Sequence, residues 1–243
     1  MKITILTLFP EMYAGFLTTS IIKKAILKGL VEVELIDIRP FSHSKTHRVD
    51  DYPFGGGQGL IMAVQPVKDA LATVTQENSY IVMTSAAGTP FSQQKARSLS
   101  AHDHLIILCG HYEGFDERLV QLCDEELSIG DYVLTGGELP SMVISDALIR
   151  LKEGVIKEAS HLDESYEQGL LEYPQYTRPQ HLEEGDVPDV LMNGNHELIR
   201  QYRLKESLRK TWLKRPDLFK DKQLTEEETK LLSEVLFECF KKG

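Results

Sequence analysis

Short apolar runs alternate with stretches of helical spacing along the first 150 positions. "ITILTLF" (3–9), "VEVELIDI" (31–38), "YIVMTS" (80–85) and "HLIILCG" (104–110) read as buried strands. "EELSIGDYVL" (125–134) reads as a last strand or strand-turn. Between them, Ile21, Ile22, Ala25 and Ile26 recur at helical spacing within 11–28, with Gly29 as the stop. "VQPVKDALATV", "TPFSQQKARSLS", "EGFDERLVQLC" and "LPSMVISDALIRL" (139–151) are further predicted helices. Thr89 is the expected cap of the second of these, with Pro90 in its first turn. Strands alternating with helices predict an α/β fold, a parallel sheet covered by helices on both faces. Residues 157–180 break the pattern, and two helical stretches, 195–214 and 224–240, follow. The expected organisation is a domain over 1–160, a mobile connector over 161–175 and a small helical domain over 176–243.

Composition narrows the function classes. No apolar run approaches the ~20 residues of a membrane span. "MKITILTLFP" lacks a cleavage site and reads as a first strand, not a signal peptide. The three cysteines, Cys109, Cys123 and Cys239, form no CxxC pair. That argues for reduced thiols in a cytosol and against a disulfide framework or zinc knuckle. Net charge is −10, yet the segment from His196 to Lys220 carries eight Lys/Arg against three acids. It is therefore +5 while the remainder is −15. A basic helix on an acidic chain is the footprint of selective contact with a polyanion, or simply a solvated amphipathic face.

The candidate chemistry sits in turns that follow strands. "LFPEMYAG" is no GxGxxG, and "PFGGGQGLIM" (53–62) has no GK[ST], so neither a dinucleotide fingerprint nor a P-loop is present. "TSAAGTP" (84–90), "CGHYEGFDER" (109–118) and "SIGDYVLTGGELP" (128–140) each offer small residues and exposed peptide groups at a strand's carboxyl end. Together they suit a cradle for a flat heterocycle.

The second and third of these turns, with "LTLFPEM" (6–12), "VDDYPFGGGQGLIM" (49–62), "GLLEYPQYTRP" (169–179), "VPDVLMNGNH" (187–196) and "RPDL" (215–218), carry a resemblance along the whole chain. The sequence resembles the bacterial tRNA (guanine-N1)-methyltransferases, the TrmD family of the SPOUT superfamily. The resemblance implies a deep trefoil knot in the sheet domain and a homodimer with active sites at the subunit interface. It implies S-adenosylmethionine as methyl donor, with N1 of the guanosine 3′ of the tRNA anticodon as acceptor. The resemblance also implies a dependence on Mg²⁺, although the sequence shows no recognisable ligand set. The implied cofactor residues are Met83, Thr84 and Ser85 in the first turn and Gly110, Tyr112, Glu113 and Gly114 in the second. The third turn adds Ile129, Gly130, Asp131, Tyr132, Val133, Leu134, Gly136, Gly137 and Pro140. One departure is Ala86, where the family usually has proline.

Methylating guanine N1 requires removal of its proton and stabilisation of charge developing toward O6. The resemblance assigns the cation to Arg150. The family's base is an aspartate before Ser-(Phe/Tyr), five residues ahead of Gly-Leu-Leu. Here that position is Glu164, with Asp163 immediately upstream. The departure leaves both carboxylates as candidates. It also leaves a second reading, a tRNA-binding protein of this fold with weak or lost catalysis. Arg200, Arg203, Lys205, Arg209, Lys210 and Arg215 are the expected phosphate contacts on the anticodon arm. Tyr52, Phe54, Tyr173 and Tyr176 are candidates for base stacking.

Overall fold

The computed structural model describes residues 1–156, 164–220 and 222–242. Contacts divide the chain into two compact units, Met1–Glu158 and Ala159–Gly243.

Unit 1 runs β1 (Lys2–Thr7), α1 (Ala14–Thr18), α2 (Ser20–Leu27), β2 (Glu32–Asp37), β3 (Asp50–Asp51), β4 (Ile61–Met62), α3 (Val64–Val74), β5 (Ser79–Pro90), α4 (Gln93–Ser100), β6 (His104–Leu108), α5 (Glu117–Val120), β7 (Glu125–Ser128) and α6 (Glu138–Ile149). β2, β1, β6, β5 and β7 form one parallel sheet in that order, and β3 and β4 a separate antiparallel pair. Ile5 pairs with Leu35 on one side and Ile107 on the other.

Both sheet faces are buried, which is why the strands read as near-continuous apolar runs. Ile3, Ile5, Val82, Leu105 and Ile107 face a core with Tyr13, Ile22, Ala96, Leu99, Ile144 and Leu148 from the helices. Leu6, Ile81, Met83, Ile106 and Leu108 face the other core, against Val67, Ala70, Leu71 and Leu119. The period of two along each strand supplies both layers from a single run. Cys109 is fully buried, and burial pushes its thiol up to about 12.

Three local expectations need correction. The helix over 11–28 is broken: Thr19 is extended and Ser20 has φ +54°. α4 starts at Gln93, capped by the Ser92 side chain, which accepts from Lys95 N. Thr89 and Pro90 instead extend β5, pairing with Leu127 and Ser128 of β7, so tertiary pairing overrides the local Thr-Pro cap signal. α5 covers only Glu117–Val120, with Asp116 as its cap. β7 ends at Ser128 and leads into a turn, which is the strand-turn alternative expected for 125–134.

Unit 2 contains a two-residue hairpin, β8 (His181–Leu182) and β9 (Gly185–Asp186), then α7 (His196–Lys214) and α8 (Glu226–Lys242). Asn195 caps α7 by accepting from Glu197 N and Leu198 N. Thr225 and Glu228 form a reciprocal capping box at α8. No described helix is long and apolar enough to cross a membrane.

The helices of unit 2 also meet through charge. Arg200 pairs with Glu227 at 2.5 Å, Lys205 with Glu234 at 2.8 Å and Glu238 at 2.9 Å, and Arg209 with Glu238 at 2.6 Å. The Arg209 guanidinium and then Lys205 hold the Glu238 carboxyl at about 2, well below the ordinary 4.5. A depressed carboxylate adds stability above its unfolded value, and loses it as pH falls through the folded one. Glu238 is 42% exposed, so solvent screens the effect. The expected outcome is a melting temperature of unit 2 that holds from pH 7 to 5 and falls below about pH 4.5. Thermal scans of the full chain across pH, with Glu238→Gln flattening part of that fall, check this.

Candidate active site

The three strand-end turns converge on one cleft of about 400 Å³ in unit 1. The first turn is made by a fault in strand register. Thr84 and Thr89 both pair with Leu127, so residues 85–88 bulge out of β5. Ser85 Oγ accepts from Ala87 N, and Gly88 brings the chain back against β7. A Cβ on Gly88 would lie 2.5 Å from Leu127 N. Thr84 is buried, and its hydroxyl donates to Leu108 O at 3.1 Å and accepts from Gly110 N at 3.3 Å. That hydroxyl ties the first turn to the second.

The second turn holds Tyr112 at φ +59°, a conformation a bulky residue adopts only when its surroundings impose it. Tyr112 N donates to His111 Nδ1, and the His111 ring lies 4.9 Å from that of Phe9. Burial, and then the Asp50 carboxylate, push the Tyr112 phenol up, with Arg39 opposing. Glu113 N donates to Leu60 O and Met62 N to Gly114 O, which fastens this turn to the glycine-rich loop. Gly59 lacks a Cβ where the Glu113 side chain crosses it, which gives that glycine a steric reason.

The third turn returns beneath the other two. Gly136 bridges His111, and Gly137 N donates to Gly110 O at 2.7 Å. A Cβ at Gly137 would meet the Thr84 hydroxyl, Gly110 N at 2.7 Å and Cys109 Cα at 2.8 Å. Only glycine allows backbone this close to backbone. α6 then begins with Glu138, which is 2% exposed and accepts from Thr7 Oγ1 at 2.8 Å, so its carboxylate anchors the return to the end of β1.

Fifteen of the sixteen residues expected around the cofactor line this cleft; Asp131 is exposed and outside the lining. His111, Ala87 and Phe115 line it without having been singled out, and so does Ala86, the departure from the family pattern. The signal for His111 was its place inside "CGHYEG". The glycine cradle and the cleft's size fit a nucleoside-bearing ligand such as S-adenosylmethionine. Among the described residues, no group of three or more His, Cys, Asp or Glu is placed to hold a metal ion.

Arg150 stands apart from that lining, half-buried at the C-terminal cap of α6, where its N–H donates to Asp146 O. Asp163 lies outside the described residues. Glu164 belongs to unit 2 and lines a cavity of about 470 Å³ there, with Tyr173, His196, Arg200 and Arg203.

The six expected phosphate contacts on α7 and at its end divide by partner. Arg200, Lys205 and Arg209 are held by acids of α8, and Arg215 by Asp217. Arg203 is exposed and stacks 4.7 Å from the centre of the Tyr173 ring. Among the described residues, Arg203 and Lys210 make no ion pair. The charge surplus counted along the chain is thus partly cancelled by the next helix.

The sequence profile of the family described as "tRNA (Guanine-1)-methyltransferase TrmD" matches residues 1–221. Curated relatives called tRNA (guanine-N(1)-)-methyltransferase match over nearly their whole length. The chain is 51% identical to that of Streptococcus uberis, covering 97% of this chain and 98% of the relative. It is 49% identical to that of Dictyoglomus turgidum, over 97% and 96%. For that of Bacillus subtilis the figures are 48%, 96% and 98%.

Proposed function

The chain belongs to the tRNA (guanine-1)-methyltransferase TrmD family, and from that premise we propose that it methylates N1 of the guanosine 3′ of a tRNA anticodon. The observation that carries the reading is the cleft where three strand-end turns meet around glycines that tolerate no Cβ. The names of relatives near 50% identity favour the enzyme over a binding protein that lost its chemistry.

S-adenosylmethionine, when bound in the cleft, supplies an electrophilic sulfonium methyl. Thr84 and the peptide groups of 85–87, 110–114 and 129–137 would hold it. Glu164, with Asp163 as the neighbouring candidate, takes the N1 proton of guanine as the N1–methyl bond forms and the sulfur–methyl bond breaks. Arg150 stabilises the negative charge that moves toward O6. Arg203 and Lys210 are α7 cations available to RNA phosphates, while Arg200, Lys205 and Arg209 brace α7 against α8.

The return of Gly136–Gly137 under the first two turns supports a trefoil knot in unit 1. Leu139 and Val143, four residues apart on α6, are both about half exposed, at 49% and 48%. An apolar stripe of that kind supports a homodimer. The chain size, thiol chemistry and substrate class support a cytoplasmic enzyme.

Labelled methyl transfer tests the reading. A tRNA transcript with guanosine 3′ of the anticodon accepts the methyl group, and the same transcript with adenosine there does not. Equal labelling of both would refute it.

A further inference from the structure

Two of the motifs quoted above, "GLL" within 169–179 and "RPDL" at 215–218, have no part in the chemistry described so far. In unit 2 they meet at a single turn, the one that begins with Glu164. Glu167 N donates to Glu164 O, Gly169 N to Tyr166 O, and Tyr166 N to Leu170 O at 2.8 Å. Glu172 N donates to Ser165 Oγ at 3.0 Å and closes the turn. Tyr166 and Gly169 both sit at positive φ, +76° and +73°.

Three anchors seat this turn. Leu171 is buried, and both its peptide groups are taken by side chains one helical turn apart on α7. Its N–H donates to Thr211 Oγ1 at 2.9 Å, and its carbonyl accepts from Ser207 Oγ. Ser207 and Thr211 are themselves buried. Lys222 donates to Gln168 O at 2.8 Å and pairs at 3.0 Å with Glu228, whose side chain is 7% exposed. Arg215, fixed by a bidentate pair with Asp217, lies over the Tyr166 ring at 5.9 Å. A surface connector would leave its peptide groups to water; this one binds them to buried hydroxyls and a nearly buried lysine.

We propose that Ser207, Thr211 and Lys222, with Arg215 behind Tyr166, are positioning residues that hold the Glu164–Glu172 turn as a preassembled carrier of the base. The inference rests on the assignment of Glu164 as that base. Its physical logic is that a carboxylate displaced by ~1 Å from its proton can lose ~10²-fold in rate.

The full chain, with Thr211→Val, Thr211→Ser and Ser207→Ala, tests this by two readouts. Amide hydrogen exchange follows residues 166–171. Single-turnover methylation at saturating S-adenosylmethionine and tRNA follows catalysis, with dissociation constants for both measured alongside. Thr211→Val is expected to speed exchange in the turn and lower the rate by ~10- to 100-fold, with cofactor affinity unchanged within ~2-fold. Thr211→Ser, which keeps the hydroxyl, restores both, and Ser207→Ala gives the same pattern should Thr211→Val fold poorly. Unchanged exchange overturns the anchoring, and faster exchange at an unchanged rate overturns the positioning role. If Glu164→Gln methylates normally while Thr211→Val is slow, the base assignment fails and the carrier stands.

Discussion

Glu164→Gln abolishes methyl transfer, by ~10²–10⁴-fold in a single turnover, while S-adenosylmethionine and tRNA still bind. The amide keeps the shape of the carboxylate but cannot take the N1 proton. Asp163→Asn, one residue upstream, costs much less. The ranking follows from reach and support. Glu164 opens a turn whose peptide groups are tied down from Glu164 O to Glu172 N. A glutamate carries its carboxylate one methylene further than the family's aspartate. The opposite ranking, with Asp163→Asn inactive and Glu164→Gln active, would transfer the role to Asp163.

Gly137→Ala is the second large effect expected, and it acts on the cofactor cleft. The added Cβ would sit 2.7 Å from Gly110 N and 2.8 Å from Cys109 Cα, and against the Thr84 hydroxyl. Two of those three obstacles are backbone or backbone-attached, so no rotamer change relieves them. Overpacking of this kind costs ~1–3 kcal/mol. The strain falls on the contact from Gly137 N to Gly110 O that joins the third turn to the second. S-adenosylmethionine affinity is expected to drop by ~10-fold or more, with a lower melting temperature. Gly15→Ala is the control: a Cβ there meets nothing within 4 Å, and the φ is ordinary. Calorimetric titration of both variants decides it. Wild-type affinity in Gly137→Ala would show that the third turn is not closed by that contact.

The sheet was legible because a strand buried on both faces leaves an unbroken apolar run, as in Leu105 to Leu108. The cleft was legible for a different reason: each of its turns follows such a run and carries glycine. What the sequence concealed was set by tertiary pairing. Thr89-Pro90 has the local form of a helix start, yet the register fault at Thr84 and Thr89 draws both residues into β5. Nothing local marks the break at Thr19 and Ser20. The basic surplus of α7 was counted without α8, whose Glu227, Glu234 and Glu238 neutralise three of its cations. The steric reason for Gly59, its contact with the Glu113 side chain, is likewise set by tertiary structure. The candidate base is placed by its spacing to Gly169, which selects Glu164, while the family's aspartate at that position keeps Asp163 beside it as the neighbouring candidate.

The identity of the methylated nucleoside tests the central claim most directly. The full chain is incubated with S-adenosylmethionine and a tRNA transcript carrying guanosine 3′ of the anticodon. The RNA is then digested and its nucleosides are resolved by mass spectrometry against standards. The account predicts 1-methylguanosine, mapped to that one position. Methylation at another guanine nitrogen or another position, or no methylated nucleoside from a chain that binds both substrates, would contradict it.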